Sequence, residues 1–208
     1  DKLFESINLK TRVVSMAENK NRVDVTFEGD IDTFQQTFDK VMVAIGRKPC
    51  SRDIGLENTK VILDERGFVA VDDRQRTADD RIFAVGDVIG GMMLAHKATR
   101  EGKVAAEVIA GEPSAFDVRA MPAVVYTDPQ IAWCGLMEEQ ARAENMDISV
   151  QRFPWKFSGR ALTTGTPVGL TKMIIEADTR RVIGVGITGL IAFGVFALLR
   201  PREDRAPQ

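Results

Sequence analysis

The stretch from Ile82 to Ala110, IFAVGDVIGGMMLAHKATREGKVAAEVIA, most narrows what this chain can fold into. A short apolar run, Ile82-Phe83-Ala84-Val85, stops at Gly86-Asp87, and a loop bearing Gly90-Gly91 follows. Helical spacing then runs from near Leu94 to Gly111, just before Pro113. Strand, carboxylate, flexible loop and helix, in that order, is the α/β arrangement in which ligands bind at the carboxyl edge of a sheet. Asp87 would stand at that edge as an acceptor for sugar-type hydroxyls. The first N–H groups of the helix, at the positive end of its dipole, would favour an electron-rich or anionic group. On spacing alone, an ordinary loop before a packing helix fits equally well. Ala98, Gly102, Ala105, Ala106 and Ile109 form a small-residue stripe that is expected to pack closely on a sheet. His96, the only histidine, falls in the first helical turn, where the dipole disfavours an imidazolium, and it is not read as a catalytic base.

AVGDVIGG followed by MLAHKATREGKVAAEVIAG resembles the flavin-binding signature of the flavin disulfide oxidoreductases, and LAHKATREG stands closest to the dihydrolipoamide dehydrogenase family. The resemblance implies FAD and NAD as cofactors. It places Asp87 on the ribityl chain and the backbone of Ala95 at the flavin ring, with Met93, Leu94 and His96 beside it.

The first 46 residues are β-rich. Val23, Val25 and Phe27 alternate with polar neighbours, as in a half-buried strand. Val41-Met42-Val43-Ala44-Ile45-Gly46 is apolar throughout, which predicts a central strand covered on both faces and ended by Arg47-Lys48-Pro49. By resemblance, Ala44, Ile45, Gly46 and Arg47 line the NAD site and Val13 meets the adenine through its backbone. Between Cys50 and Arg81, a turn at Asp64-Glu65-Arg66-Gly67 feeds a predicted strand Phe68-Val69-Ala70-Val71, with no chemistry of its own. By resemblance it returns the chain to the flavin domain.

Beyond Pro113 the pattern becomes α+β on an antiparallel sheet. The spacing predicts strands at Met121–Tyr126 and Ile148–Trp155, a helix over Glu138–Asn145 begun by Met137 without a Ser or Thr cap, and Gly169–Ala177 paired with Arg181–Gly189 through a turn at Asp178-Thr179. MPAVVYTDPQIAWCGL and FPWKFSGRALTT resemble the family's interface domain. That implies a homodimer and docking to lipoyl-bearing 2-oxo acid dehydrogenase complexes. Gly184-Val185-Gly186-Ile187-Thr188-Gly189 satisfies G-x-G-x-x-G, but only Val182 and Ile183 precede it as strand, so it is read as a sheet strand and not a phosphate loop.

The fold class that follows is an α/β remainder of FAD- and NAD-linked nucleotide-binding domains, three-layered, followed by an α+β dimerisation domain. Its divisions are 1–47 (NAD-binding), 48–116 (FAD-binding), 117–190 (interface) and 191–208 (a tail outside the family pattern). With 28 basic and 30 acidic side chains and no basic block, nothing marks a nucleic-acid partner. Cys50 and Cys134 lie far apart, form no C-x-x-C, and are read as inert buried thiols in a reducing, cytoplasmic setting. The start at Asp1, with neither Met nor a basic-then-apolar leader, reads as mid-domain. From Val182 to Leu199 no residue is charged, near the lower limit for a span, but the first part belongs to a strand; an aberrant end is expected, and no membrane crossing. No metal ligands or catalytic residues are assigned. The family's C-x-x-x-x-C disulfide, phosphate-binding glycines and His-Glu pair are not found, so the chain is expected to be inactive alone. The alternatives are a non-catalytic dimerisation remnant, or part of another flavin disulfide reductase of the mercuric or glutathione reductase type.

Overall fold

The computed structural model describes residues 4–30 and 32–189, and the chain divides into two compact units, Asp1–Arg47 and Lys48–Gln208. The tail reading after Gly189 lies outside the described residues.

The first unit is an antiparallel meander of β1 (Arg12–Asn19), β2 (Arg22–Glu28) and β3 (Thr33–Phe38), in that spatial order. The alternation on β2 does what a half-buried strand requires: Val25 is only 1% exposed, and Phe27 stacks on Phe34 of β3 at 5.0 Å and meets Phe38 edge-on at 6.0 Å. Arg12 on β1 pairs with Glu28 on β2 at 2.5 Å, across the register that sets them opposite one another.

The predicted strand Val41–Gly46 is not formed. These residues run as irregular chain after β3, with Met42 89% and Ile45 94% exposed. An all-apolar run makes a central strand only where neighbouring strands take up its backbone groups and layers cover both faces. Among the described residues none pairs with it.

In the second unit two other predicted strands are reduced to single bridges. Phe68–Val71 contributes only the Leu63–Val69 bridge, and Ile82–Val85 only the Arg76–Phe83 bridge. Side-chain bonds from Asp64 and Thr77 and the turn that follows take backbone groups a longer ladder would use. Helix α1 (Ala95–Ile109) begins and ends where its signals place it, with Leu94 as N-cap and Gly111 at φ +90°. Its buried face is not the small-residue stripe: Glu101, Val104, Ala105 and Val108 are buried, whereas Ala106 and Ile109 are exposed. Spacings of three and four from Glu101 select that face, and a stripe counted from small residues alone ran off it.

The remainder is a five-stranded antiparallel sheet in the order β4 (Ala123–Val125), β5 (Gln130–Gly135), β8 (Val182–Gly189), β7 (Leu170–Glu176), β6 (Ile148–Pro154). Helix α2 (Glu138–Ala143) follows β5, and α3 (Gly159–Thr163) follows β6. The polar start of α2 is met by Gln140, whose side-chain oxygen accepts from the Met137 N–H at 2.9 Å. Ala132, Cys134, Val185 and Ile187 form the core, with Val124, Trp155 and Met173 packed on it. The Gly-x-Gly-x-x-Gly string is the central strand β8. A Cβ on Gly184 would lie 2.0 Å from the Leu136 carbonyl oxygen, and one on Gly189 would lie 2.2 Å from the Trp155 ring. Two of these glycines therefore serve close packing rather than a phosphate.

Cys134 is buried, and burial pushes its thiol pKa up. Cys50 is exposed, against expectation, because it sits in irregular chain outside any element. Among the described residues, no helix is long and apolar enough to cross a membrane, and no cluster of His, Cys, Asp or Glu could hold a metal.

Candidate functional site

Asp87 occupies the second position of a short 3₁₀ turn, Gly86–Ile89, with Gly90 as its C-cap. Gly86 (φ +81°) and Gly90 (φ +79°) adopt a left-handed backbone that only glycine takes without strain. Both are also crowded: a Cβ at Gly86 would come within 3.2 Å of the Ala98 Cβ, and one at Gly90 within 3.2 Å of the Phe68 ring. The turn is thus wedged between α1 and Phe68, while Asp87 itself is exposed.

Three bonds hold the turn's backbone. The Val69 N–H donates to the Val88 carbonyl at 2.9 Å, from the extended segment behind it. The Gly86 N–H donates to Glu101 Oε2 at 2.7 Å, and Lys97 Nζ donates to the Gly90 carbonyl at 3.1 Å. Glu101 is 1% exposed and pairs through its other oxygen, Oε1, with Lys97 Nζ at 2.5 Å. A buried carboxylate is tolerated only with such partners.

Phe68, the wedge, is itself fixed by Asp64. The Asp64 side chain accepts from the N–H groups of Arg66 at 2.9 Å and Phe68 at 2.8 Å, and the Gly67 N–H closes the turn on the Asp64 carbonyl at 2.9 Å. The turn predicted at Asp64–Gly67 is therefore part of the site's support, where sequence reasoning saw no chemistry.

Met93, Leu94, Ala95 and His96 follow directly as the loop and first residues of α1. Leu94 offers no side-chain cap and the first turn carries no acidic residue, so the positive end of this 15-residue helix is not offset from within by a carboxylate. The His96 ring lies 2.7 Å from the Pro122 carbonyl, which can only accept, so Nε2 carries the proton. That bond ties the start of α1 to the segment entering β4. Met92, one residue earlier, lines a cavity of about 710 Å³ with Met121, Leu136 and Met137.

The remaining sequence-derived positions lie in the first unit. Val13 is on the edge strand β1, opposite Phe27, and is 49% exposed. Ala44, Ile45, Gly46 and Arg47 lie in the irregular segment past the other edge strand, β3, and are exposed. The structure thus gathers Asp87 and Met93–His96 on one turn-and-helix start, whereas Val13 stands on β1 and Ala44–Arg47 lie in the irregular segment that follows β3.

Glu101 and Lys97 were not singled out from the sequence. The signal was present: Glu101 stands at i+4 from Lys97 and at helical spacing with Val104, Ala105 and Val108, on an otherwise apolar face.

Comparisons with known proteins bear on this geometry. Residues 6–102 match the pyridine nucleotide-disulphide oxidoreductase family, and residues 121–195 match the dimerisation domain of the same family. The second match runs past Gly189 into the segment that sequence analysis left partly outside the family pattern. The chain is 42% identical over 185 residues to a dihydrolipoyl dehydrogenase of Vibrio cholerae, a match covering 88% of this chain and 39% of that protein. It is 41% identical over 182 residues to a dihydrolipoyl dehydrogenase of Geobacillus stearothermophilus, with the same two shares. Among solved structures, the HOCl-induced flavoprotein disulfide reductase RclA from Escherichia coli superposes with a TM-score of 0.79 at 26% identity, covering 90% of this chain and 42% of that one. LpdA from Mycobacterium tuberculosis gives 0.80 at 26%, covering 90% and 40%. The chain spans about two fifths of the length of the curated relatives it matches.

Proposed function

Because the chain belongs to the pyridine nucleotide-disulphide oxidoreductase family, we propose that it is the part of a dihydrolipoyl dehydrogenase that holds the flavin end of FAD on the Asp87 turn and the start of α1. The observation that carries this reading is the turn itself: an exposed carboxylate on a backbone held at both ends, immediately before a helix start without an acidic or side-chain cap. These residues fit the group. Asp87 would accept hydrogen bonds from the ribityl hydroxyls, and the N–H groups at the start of α1, around Leu94–His96, would favour the electron-rich part of the flavin ring. Bound there, FAD would supply two-electron transfer between a dihydrolipoyl thiol pair and NAD.

In this reading Val13 and Ala44–Arg47 serve NAD, the sheet β4–β8 forms the homodimer contact, and the complete assembly docks to lipoyl-bearing 2-oxo acid dehydrogenase complexes in the cytoplasm. Divisions at 47 and 116 separate NAD-binding, FAD-binding and interface parts. Dihydrolipoyl dehydrogenase is favoured over another flavin disulfide reductase by the higher identity, 42% against 26% for RclA.

The test is a titration of the purified chain with FAD, followed by quenching of flavin fluorescence. Saturable quenching that Asp87→Ala weakens at least tenfold supports the reading. Saturable quenching indifferent to Asp87→Ala, or none at all, removes it. Turnover of dihydrolipoamide with NAD is measured on the same preparation, to decide what the chain does by itself.

A further inference from the structure

The carboxylate of Asp87 can serve a cofactor only if the turn beneath it does not move, and that turn is too short to be stable alone. It is a single 3₁₀ turn of Gly86–Ile89, begun by Gly86 and capped by Gly90, both with positive φ. Such turns have poor hydrogen-bond geometry and high chain entropy to overcome. Besides the Val69–Val88 bond in its middle, an ion pair holds the two ends of the turn. Glu101 takes the first N–H of the turn, Lys97 takes the carbonyl of its C-cap, and the two side chains meet each other at 2.5 Å.

We propose that the buried Lys97–Glu101 pair is the positioning element of the site, clamping the first amide of the turn and the carbonyl of its C-cap so that Asp87 is presented at a fixed place to a polyhydroxylated cofactor. The inference rests on the reading of Asp87 given above. Neither residue touches the cofactor in this arrangement; both act through the backbone of the turn.

Three features make the pair more than a structural filler. First, a filler needs no charge. Buried pairs of this type are commonly replaceable by apolar residues of similar volume with little loss of stability, so the retained charges point to something only charges provide. Secondly, both bonds are charge-assisted and directed at backbone groups of the same turn, which a Met or Leu could not reproduce. Thirdly, the carboxylate is used fully: Oε1 meets Lys97 and Oε2 meets Gly86. A glutamine there has a single acceptor oxygen and must abandon one of the two donors.

The decisive variant is Lys97→Met with Glu101→Met, which removes both charges while keeping volume. Three quantities are measured on the whole chain: the thermal midpoint, amide hydrogen exchange at Gly86 and Gly90, and FAD affinity by fluorescence quenching. The expected result is a midpoint close to that of the parent, exchange at Gly86 and Gly90 at least tenfold faster while Val104 in α1 stays protected, and FAD affinity at least tenfold weaker. A purely structural role would move the midpoint and the exchange of α1 together with the turn.

Parent-like exchange at Gly86 and Gly90 in the double variant overturns the clamp. Faster exchange with parent-like FAD affinity overturns its role in presenting Asp87. Should the double variant not fold, Glu101→Gln takes its place, with faster exchange expected at the turn and parent-like exchange again counting against the clamp. If the parent chain binds no FAD, the reading of Asp87 falls, and with it the cofactor role of the pair, while the exchange data still decide whether the pair holds the turn.

Discussion

Two segments of this chain look alike as sequence and differ as structure. Val41–Gly46 and Ile82–Gly86 are both apolar runs ending in glycine with a charged residue next, Arg47 in one case and Asp87 in the other. Both resemble the cofactor-facing edge of a strand. Around Asp87 the edge is built, held by Val69, Lys97 and Glu101, with Phe68 against Gly90. Around Arg47 the run is irregular and exposed, with Ile45 at 94%. The difference lies in where the supports come from. Those of Asp87 stand on residues 64–101, close in sequence and mostly hydrogen-bonded to backbone. A central strand instead needs partner strands on both sides, and none pairs with Val41–Gly46 among the described residues.

The comparison is broken most forcefully at Glu101. Glu101→Ala leaves Lys97, whose side chain is 11% exposed, without its carboxylate, and leaves the Gly86 N–H unpaired. Removing one partner of a buried pair costs about 3–5 kcal/mol, and that loss is expected in urea unfolding of the chain. A loss below about 1 kcal/mol, the level of a solvent-exposed pair, would mean the Asp87 turn is no better supported than Val41–Gly46.

A smaller effect is expected one step back. Asp64→Ala removes the acceptor for the Arg66 and Phe68 amides and so loosens Phe68, at a cost of about 1–2 kcal/mol by the same measurement. Coupling sharpens the point. In a double-mutant cycle Asp64→Ala and Glu101→Ala should be non-additive, because both act on one turn from opposite sides.

Much of this was legible in sequence, for physical reasons that can be named. The helix start at Leu94, its stop at Gly111, the Asp64 turn and the strand identity of Gly184–Gly189 all follow from local signals: helical period, a left-handed glycine, an Asx turn, and too short a lead-in for a phosphate loop. The strands at Val41, Phe68 and Ile82 were misread because a strand is completed by neighbours that the local pattern does not contain. Glu101 was not singled out because burial of a charge depends on a donor supplied by the turn it supports. Asp87 was singled out while the residues that fix its turn were not, since a carboxylate after an apolar run and a glycine has a sequence signature and a backbone clamp has none beyond i,i+4 spacing.

Acid separates the regions more weakly. Backbone N–H groups of Arg81 and Lys60 hold the Asp79 carboxyl below its ordinary range. Hydrogen bonds from Lys172 and Arg142, with Arg152 nearby, hold Glu138 at about 2 against an ordinary 4.5. A depressed carboxylate contributes stability that is complete above its unfolded pKa and is lost as pH falls toward the folded one. The thermal midpoint of the second unit should therefore drop between pH 4.5 and about 2, and Glu138→Gln should flatten that slope. A midpoint independent of pH across this window would show that the Glu138 cluster is a solvated network without influence on the fold.

The smallest effect is expected at Ile45. With its side chain almost wholly in water and no strand paired with its segment among the described residues, Ile45→Ser removes exposed apolar surface, and stability should change by no more than about 0.5 kcal/mol. Met42→Ser, at 89% exposure, should behave the same way. What should change is self-association: an exposed apolar run outside any strand among the described residues is a template for edge pairing, so light scattering at high protein concentration should fall in the Met42→Ser, Ile45→Ser variant. A destabilisation above about 1 kcal/mol in either single variant would mean that the run is packed in solution, and the contrast with the Asp87 turn would then be one of degree.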